Sequence, residues 1–102
     1  ELNLAALKSK TETGAEARYL VAEQQLKAKQ YDKAIESAFD ISNSFSSYDF
    51  WVGKGFILMS DAYVGKGDKF QAKATLESVI DNYENKEDGV LKTAKEKLAK
   101  LK

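Results

Sequence analysis

The chain contains no cysteine, no histidine and no proline. Without cysteine it cannot form disulfides, thiolate metal sites or a cysteine nucleophile. Without histidine it lacks the side chain that most often transfers protons near neutral pH, and the usual imidazole metal ligand. Proline makes up about 5% of an average protein. Its absence from a chain rich in Ala, Lys, Glu and Leu therefore favours long helices.

The remaining polar residues also argue against catalysis. The carboxylates are spread along solvated faces, and no Ser, Lys and acidic residue have a spacing that indicates a nucleophile. The acidic run 84–89 lacks the alternating ligand spacing of a calcium loop. We therefore expect a protein that is not an enzyme and that has no catalytic residues, no cofactor and no metal site.

The charges of the chain balance, with 16 Lys and Arg against 16 Asp and Glu. No overall field therefore attracts nucleic acid or an anionic membrane surface. No run of 18 apolar residues is present, so no segment is expected to cross a membrane. We expect neither a nucleic-acid partner nor direct membrane insertion.

Apolar residues recur at helical spacing in five successive segments. The stripes are Ala15, Tyr19, Ala22 and Leu26; Tyr31, Ala34, Ala38, Ile41 and Phe45; Trp51, Leu58, Met59, Ala62 and Tyr63; Ala72, Leu76, Val79, Ile80 and Tyr83; and Leu91, Ala94, Leu98 and Leu101. Leu4 and Leu7 indicate a further helical stub over 1–12. The pattern predicts an all-α fold of about five helices plus this stub, with short turns and no strand.

Start signals precede four of these helices. Three of these signals consist of a short polar residue with an acid or amide three positions later: Thr13 with Glu16, Ser46 with Asp49, and Asp68 with Gln71. The fourth is the polar cluster at 85–88. We expect these residues to cap the helices that follow them.

Two copies of VGKG, at 52–55 and 64–67, raise the question of a phosphate-binding loop. Such a loop needs G-x-x-x-x-G-K-[ST] between a strand and a helix. Both copies lack the first glycine, and neither lysine is followed by Ser or Thr. We predict instead that the glycines of the first copy permit close helix packing, and that those of the second end a helix and form the turn.

The chain also repeats itself at an offset of 38 residues: Ala34, Ala38, Ile41 and Phe45 match Ala72, Leu76, Val79 and Tyr83. The segments AEARYLVAE, KAKQYDKAIESA and GKGFILMSDAYVGKGDKFQAKATL resemble tetratricopeptide repeats, and the last has Met59, Ser60, Tyr63, Gly67 and Ala72 at the consensus spacing. The period is longer than the usual 34 or so residues, and the usual proline after the second helix is missing. The run from 50 to 83 is similar to repeats of large bacterial proteins associated with the cell envelope.

This resemblance implies antiparallel helix pairs stacked as a fragment of a right-handed superhelical solenoid. Residues 1–102 would form a single domain or the C-terminal part of a longer array. The units would be the end of an upstream helix at 1–12, repeat 1 at 15–46, repeat 2 at 49–84 and a capping helix at 87–102. The periplasm or cell envelope of a bacterium is the location that the resemblance suggests.

The resemblance further implies a concave groove lined by the first helix of each pair, at Glu16, Tyr19, Glu23, Lys27, Lys54, Ile57 and Asp61. The expected function is a non-catalytic scaffold that binds a peptide or helical segment of another protein in this groove. The open alternative is a structural solenoid segment, or a module that self-associates through its N-terminal end, where Leu2, Leu4 and Leu7 lie.

An aromatic cluster follows the second predicted helix, at Phe45, Tyr48, Phe50, Trp51 and Phe56. Aromatic residues dominate both cores and interfaces. We expect this cluster to pack the two units together, and we expect Tyr48 and Phe50 to be the members that remain exposed for contact with a partner.

Overall fold

The computed structural model describes residues 12–101, which form five α-helices. They are α1 (Glu12–Lys27), α2 (Tyr31–Ser44), α3 (Asp49–Gly65), α4 (Lys69–Asn82) and α5 (Val90–Leu101). No strand occurs in this part of the chain, so the predicted all-helical class is confirmed. Apart from Glu12, the predicted stub over 1–12 lies outside the described residues, and so do the leucines invoked for self-association.

The predicted start of α4 is confirmed. Asp68 precedes the helix, and its Oδ1 accepts a hydrogen bond of 3.0 Å from the backbone N–H of Gln71. Gly67, with φ at +85°, forms the turn before it, and the N–H of Asp68 donates back to the carbonyl of Tyr63 at 2.9 Å. The glycine after α3 therefore has the predicted role in ending the helix.

Of the other three predicted starts, Thr13 and Ser46 are wrong in position, and the cluster at 85–88 is confirmed only at Asp88. Thr13 lies inside α1, which already includes Glu12. Ser46 lies in the turn before α3, and Tyr48 precedes the helix without a side-chain cap hydrogen bond. The last helix begins at Val90 and not at 87, because the preceding residues form a loop. Asp88 in that loop accepts the N–H of Val90 at 3.1 Å.

α3 is the central helix. It packs against each of the other four helices, and seven of its residues are buried, as expected for a helix that is apolar on most of its faces. Each helix packs against the next one along the chain, and α1 and α5 also contact α3. The backbones of α2 and α4 do not come close to each other. One face of the molecule is therefore formed by α1, α3 and α5, and the other by α2 and α4 over α3.

The glycines of the first VGKG copy permit this packing, as predicted. A Cβ at Gly55 would lie 3.3 Å from the carbonyl oxygen of Ala38 and from Ile41 Cδ1. A Cβ at Gly53 would lie 2.9 Å from Tyr83 Cε1 and from Val90 Cγ1. Gly55 lets α3 approach α2, and Gly53 lets the loop before α5 approach α3.

Among residues 12–101, buried side chains form three clusters. One joins α1, α2 and α3, through Ala22, Ala34, Ala38, Leu58, Met59 and Ala62. Another joins α3, α4 and α5, through Ile57, Leu76, Val79, Val90 and Ala94. The third contains Ala15, Ile41 and Phe45. The predicted helical stripes supply most of these residues, so the helix faces that point inward follow the sequence pattern.

Candidate interaction groove

A groove of about 380 Å³ crosses the face formed by α1, α3 and α5. We call it the α1–α3–α5 groove. Its apolar lining comes from Leu26, Ile57, Leu58 and Val90, and Thr93 lies beside the last of these on α5. Because residues from three helices meet here, the relative positions of those helices determine its shape.

Five of the seven residues predicted for the groove lie together in it: Tyr19, Glu23, Lys54, Ile57 and Asp61. Whether they bind a partner stays a prediction. The other two, Glu16 and Lys27, are exposed and lie outside this groove. Lys27 is turned by about 100° from Leu26, which does line it. Glu16 lies one turn before Tyr19, the first residue of α1 that borders the groove.

The predicted aromatic contacts are separated by the fold. Phe50 lines the groove, whereas Tyr48 packs against the cluster around Phe45. Both are half-buried. The most exposed aromatic side chains among residues 12–101 are instead Phe39 and Phe70, which are 53% and 79% exposed, and neither was predicted as a contact.

Three aromatic rings stand at one end of the groove, and we call them the aromatic corner: Tyr19, Phe50 and Trp51. The Trp51 ring centroid is 5.7 Å from that of Tyr19 and 5.2 Å from that of Phe50. Lys54 follows about one turn later on α3. Its Nζ lies 4.7 Å from the Tyr19 centroid, 5.3 Å from the Phe50 centroid and 5.1 Å from the Trp51 centroid. These distances are those of cation–π attraction, which holds the ammonium group at the corner.

Acidic side chains lie further along the groove. Burial raises the pKa of Tyr19, and the negative charges of Glu23 and Asp61 raise it further. Asp61 accepts hydrogen bonds from Lys97 Nζ at 3.0 Å and 3.1 Å, one to each oxygen. Both partners of this ion pair are about one-third exposed, so it fixes geometry more than it adds stability.

The contribution of α5 was missed by the sequence analysis, which treated the last helix as a cap. Val90, Thr93 and Lys97 border the groove, and Lys97 neutralises Asp61 across the space between α5 and α3. The helical spacing of these residues on α5 was the available signal. Their distance to α3 depends on the loop at 83–89, whose path the sequence pattern does not specify.

This loop is held by Asp88, which borders the groove. The hydroxyl of Tyr83 donates a hydrogen bond to Asp88 Oδ2, while the other oxygen accepts the N–H of Val90. Burial, followed by this bond and the charge of Asp88, raises the pKa of Tyr83. A single carboxylate thus connects the end of α4 to the start of α5.

A second, more apolar groove of about 490 Å³ lies on the opposite face, between α2 and α4. We call it the α2–α4 groove. It is lined by Ile35, Phe39, Phe56, Met59, Tyr63 and Ala74, together with a few polar residues. Phe70 lies one turn before Ala74 on α4, so the same helix face continues to the most exposed aromatic ring.

The described residues contain neither a membrane-spanning helix nor a metal-binding cluster. No helix among them is long and apolar enough to cross a bilayer. Between residues 12 and 101, no three acidic side chains are grouped so that they could hold a metal ion.

Comparison with known proteins gave no match to any family model, curated protein or solved structure.

Proposed function

We propose that the chain is a non-catalytic protein–protein interaction scaffold that binds a peptide or helical segment of a partner protein in the α1–α3–α5 groove. The observation that carries this proposal is the make-up of the groove. An apolar lining, an aromatic corner and charges of both signs meet in one surface depression. Buried aromatic anchors with a polar surround are typical of protein interfaces.

The arrangement of the helices supports the same proposal. We propose that α1 with α2 and α3 with α4 are tetratricopeptide-like pairs in a right-handed solenoid fragment, with α5 completing the stack. Two features favour this: the offset of 38 residues between the pairs, and the sharing of one face by α1, α3 and α5. In such stacks a face lined by successive helices forms an extended binding surface.

Photocrosslinking in the cells that make the protein tests the proposal. A photoreactive residue at Glu23, inside the groove, should capture a defined partner protein. The same residue at Glu77 is the matched control, because Glu77 is exposed on α4 and borders neither groove. Capture of one partner from position 23 and not from position 77 is the expected result. Equal capture from both positions would contradict the proposal.

Self-association is the second candidate, and the α2–α4 groove favours it. Phe39 at its edge and Phe70 beside it expose large apolar surfaces, which raise the free energy of the isolated chain in water. Sedimentation equilibrium should then show a dimer that the Phe70→Ser variant weakens. A wild-type chain that stays monomeric over the accessible concentrations would exclude this candidate.

A further inference from the structure

The charged residues of the α1–α3–α5 groove differ in whether they already have a partner. Asp61 and Lys97 pair with each other, and Asp88 accepts two hydrogen bonds. The other two charged residues of the groove are Glu23 and Lys54. Within residues 12–101 neither of them forms an ion pair, although both are half-buried.

We infer that the segment that occupies this groove has an acidic residue that contacts Lys54 and, about one helical turn away, a basic residue that contacts Glu23. The inference rests on the proposed function and specifies the chemistry of the partner. It depends on charge complementarity, which selects partners and orients them at interfaces.

The surroundings of Lys54 favour a carboxylate as its partner. The three rings attract the ammonium group, but ring faces are poor substitutes for the hydrogen-bond acceptors that its three N–H donors can engage. A carboxylate approaching from the open side of the groove would accept charge-assisted hydrogen bonds from these donors. The rings would at the same time keep Lys54 in place.

A carboxylate of the chain itself already reaches the aromatic corner. Glu12 Oε2 accepts a hydrogen bond of 3.2 Å from the indole Nε1 of Trp51, the ring over which Lys54 stands. Among the described residues, Glu12 forms no ion pair with Lys54, and its negative charge would repel a second carboxylate placed beside it. The acid of the partner would therefore contact Lys54 on the side of the ammonium group away from Glu12.

The backbone of α1 gives an approximate spacing for the two charges along the groove. Lys54 stands over the ring of Tyr19, and Glu23 follows Tyr19 by four residues, a rise of about 6 Å along the helix. Matching charges lie about this far apart at positions i and i+4 of a helix, or at i and i+2 of an extended segment. The acidic residue would point to the Phe50 end of the groove and the basic residue to the Asp61 end. An apolar residue between them would rest on Ile57 and Leu58.

Selection from a random 12-residue peptide library displayed on phage tests this inference. Peptides enriched on the wild-type protein should carry an acid and a base two or four positions apart. Lys54→Gln should abolish the enrichment of the acid and leave that of the base, and Glu23→Gln should do the reverse. The matched controls are Lys69→Gln and Glu77→Gln, which change exposed charges outside the groove and should leave both preferences intact.

Titration calorimetry with one selected peptide supplies the magnitude. Lys54→Gln should weaken its binding about fivefold, as expected for a partly exposed ion pair. The double variant Lys54→Glu/Glu23→Lys should instead prefer the same peptide with its two charges exchanged. Far-UV circular dichroism of each variant establishes that the helices are retained.

The outcomes separate this inference from the proposed function. Selected peptides that bind in the groove without any charge preference would overturn the inference and leave the scaffold function standing. If no peptide is enriched on the wild-type protein, the scaffold function fails as well.

Discussion

A single methyl group at Gly53 tests the packing that positions α5. A Cβ there would lie 2.9 Å from atoms of both Tyr83 and Val90, which is closer than real Cβ contacts, so Gly53→Ala requires a neighbour to move. Tyr83 is tethered through its hydroxyl to Asp88, which also accepts the N–H of Val90. The displacement should therefore reach the first turn of α5, and with it one side of the α1–α3–α5 groove.

Two opposing effects set the magnitude of the change at Gly53. Alanine in place of a glycine inside a helix favours folding by about 1 kcal/mol. Overpacking of a filled site costs about 1–3 kcal/mol. Because two close contacts are involved and one of them is to a tethered ring, we expect the cost to exceed the gain. Gly53→Ala should lower the free energy of unfolding by about 1 kcal/mol, and the Tm by about 4–8 °C for a chain of this size.

Urea unfolding followed by the fluorescence of Trp51, the single tryptophan, measures this effect. Gly55→Ala is the matched control, because the nearest contacts of its Cβ are 3.3 Å away, and it should be closer to neutral. In the double variant Gly53→Ala/Val90→Ala, one close contact is removed, so the loss should be smaller than the sum of the two single losses. A Gly53→Ala protein about 1 kcal/mol more stable than wild type would refute the reasoning.

Three further predictions concern stability. Leu76→Ala removes a fully buried side chain and should lower the free energy of unfolding, measured in urea, by about 2–5 kcal/mol. Phe70→Ala on the same helix should change this free energy by less than about 0.5 kcal/mol. Similar losses in the two variants would contradict the burial pattern. Asp68→Ala removes the cap of α4 and should lower the free energy of unfolding by about 1 kcal/mol. Asp68→Asn keeps a capping side chain and should retain most of that stability. In the folded chain the pKa values of Tyr19 and Tyr83 are raised above their usual 10.0. Their contribution to stability is therefore complete below pH 10. It declines as the pH rises further, because the unfolded chain loses these protons before the folded chain does. Between pH 9 and 11, the free energy of unfolding should decline less in the double variant Tyr19→Phe/Tyr83→Phe than in the wild type. An equal decline in both proteins would exclude these two residues as its cause.

Much of the fold follows from local pattern. Apolar stripes at helical spacing predict five helices, and the buried faces observed for them agree, because a helix face is determined within a few turns of chain. Asp68 with Gln71 was read correctly as a helix start. Of the 85–88 cluster, only Asp88 bonds to the start of α5. Thr13 and Ser46 do not start helices, because short polar residues also occur inside helices and in turns, and only the path of the backbone distinguishes these environments.

The candidate site was predictable only in part. The resemblance to tetratricopeptide repeats predicted Tyr19 and Glu23 on α1, and Lys54, Ile57 and Asp61 on α3, as residues of one groove. Contacts between helices could not be found in this way. The ion pair of Asp61 with Lys97 joins residues 36 positions apart, and the position of Lys54 over three rings joins α1 to α3.

The sequence by itself determined that the chain is helical, which segments contain its five helices and which helix faces are apolar, because those properties depend on neighbours within a turn or two. It did not determine all of the residues at which the helices begin. The tertiary structure decided which helix faces meet, that α5 borders the groove, and which charges are paired with one another. The physical reason is that crossing angles and loop paths are set by how side chains of distant segments fill common space. At Gly53, for example, the absence of one methyl group allows the loop before α5 to approach α3.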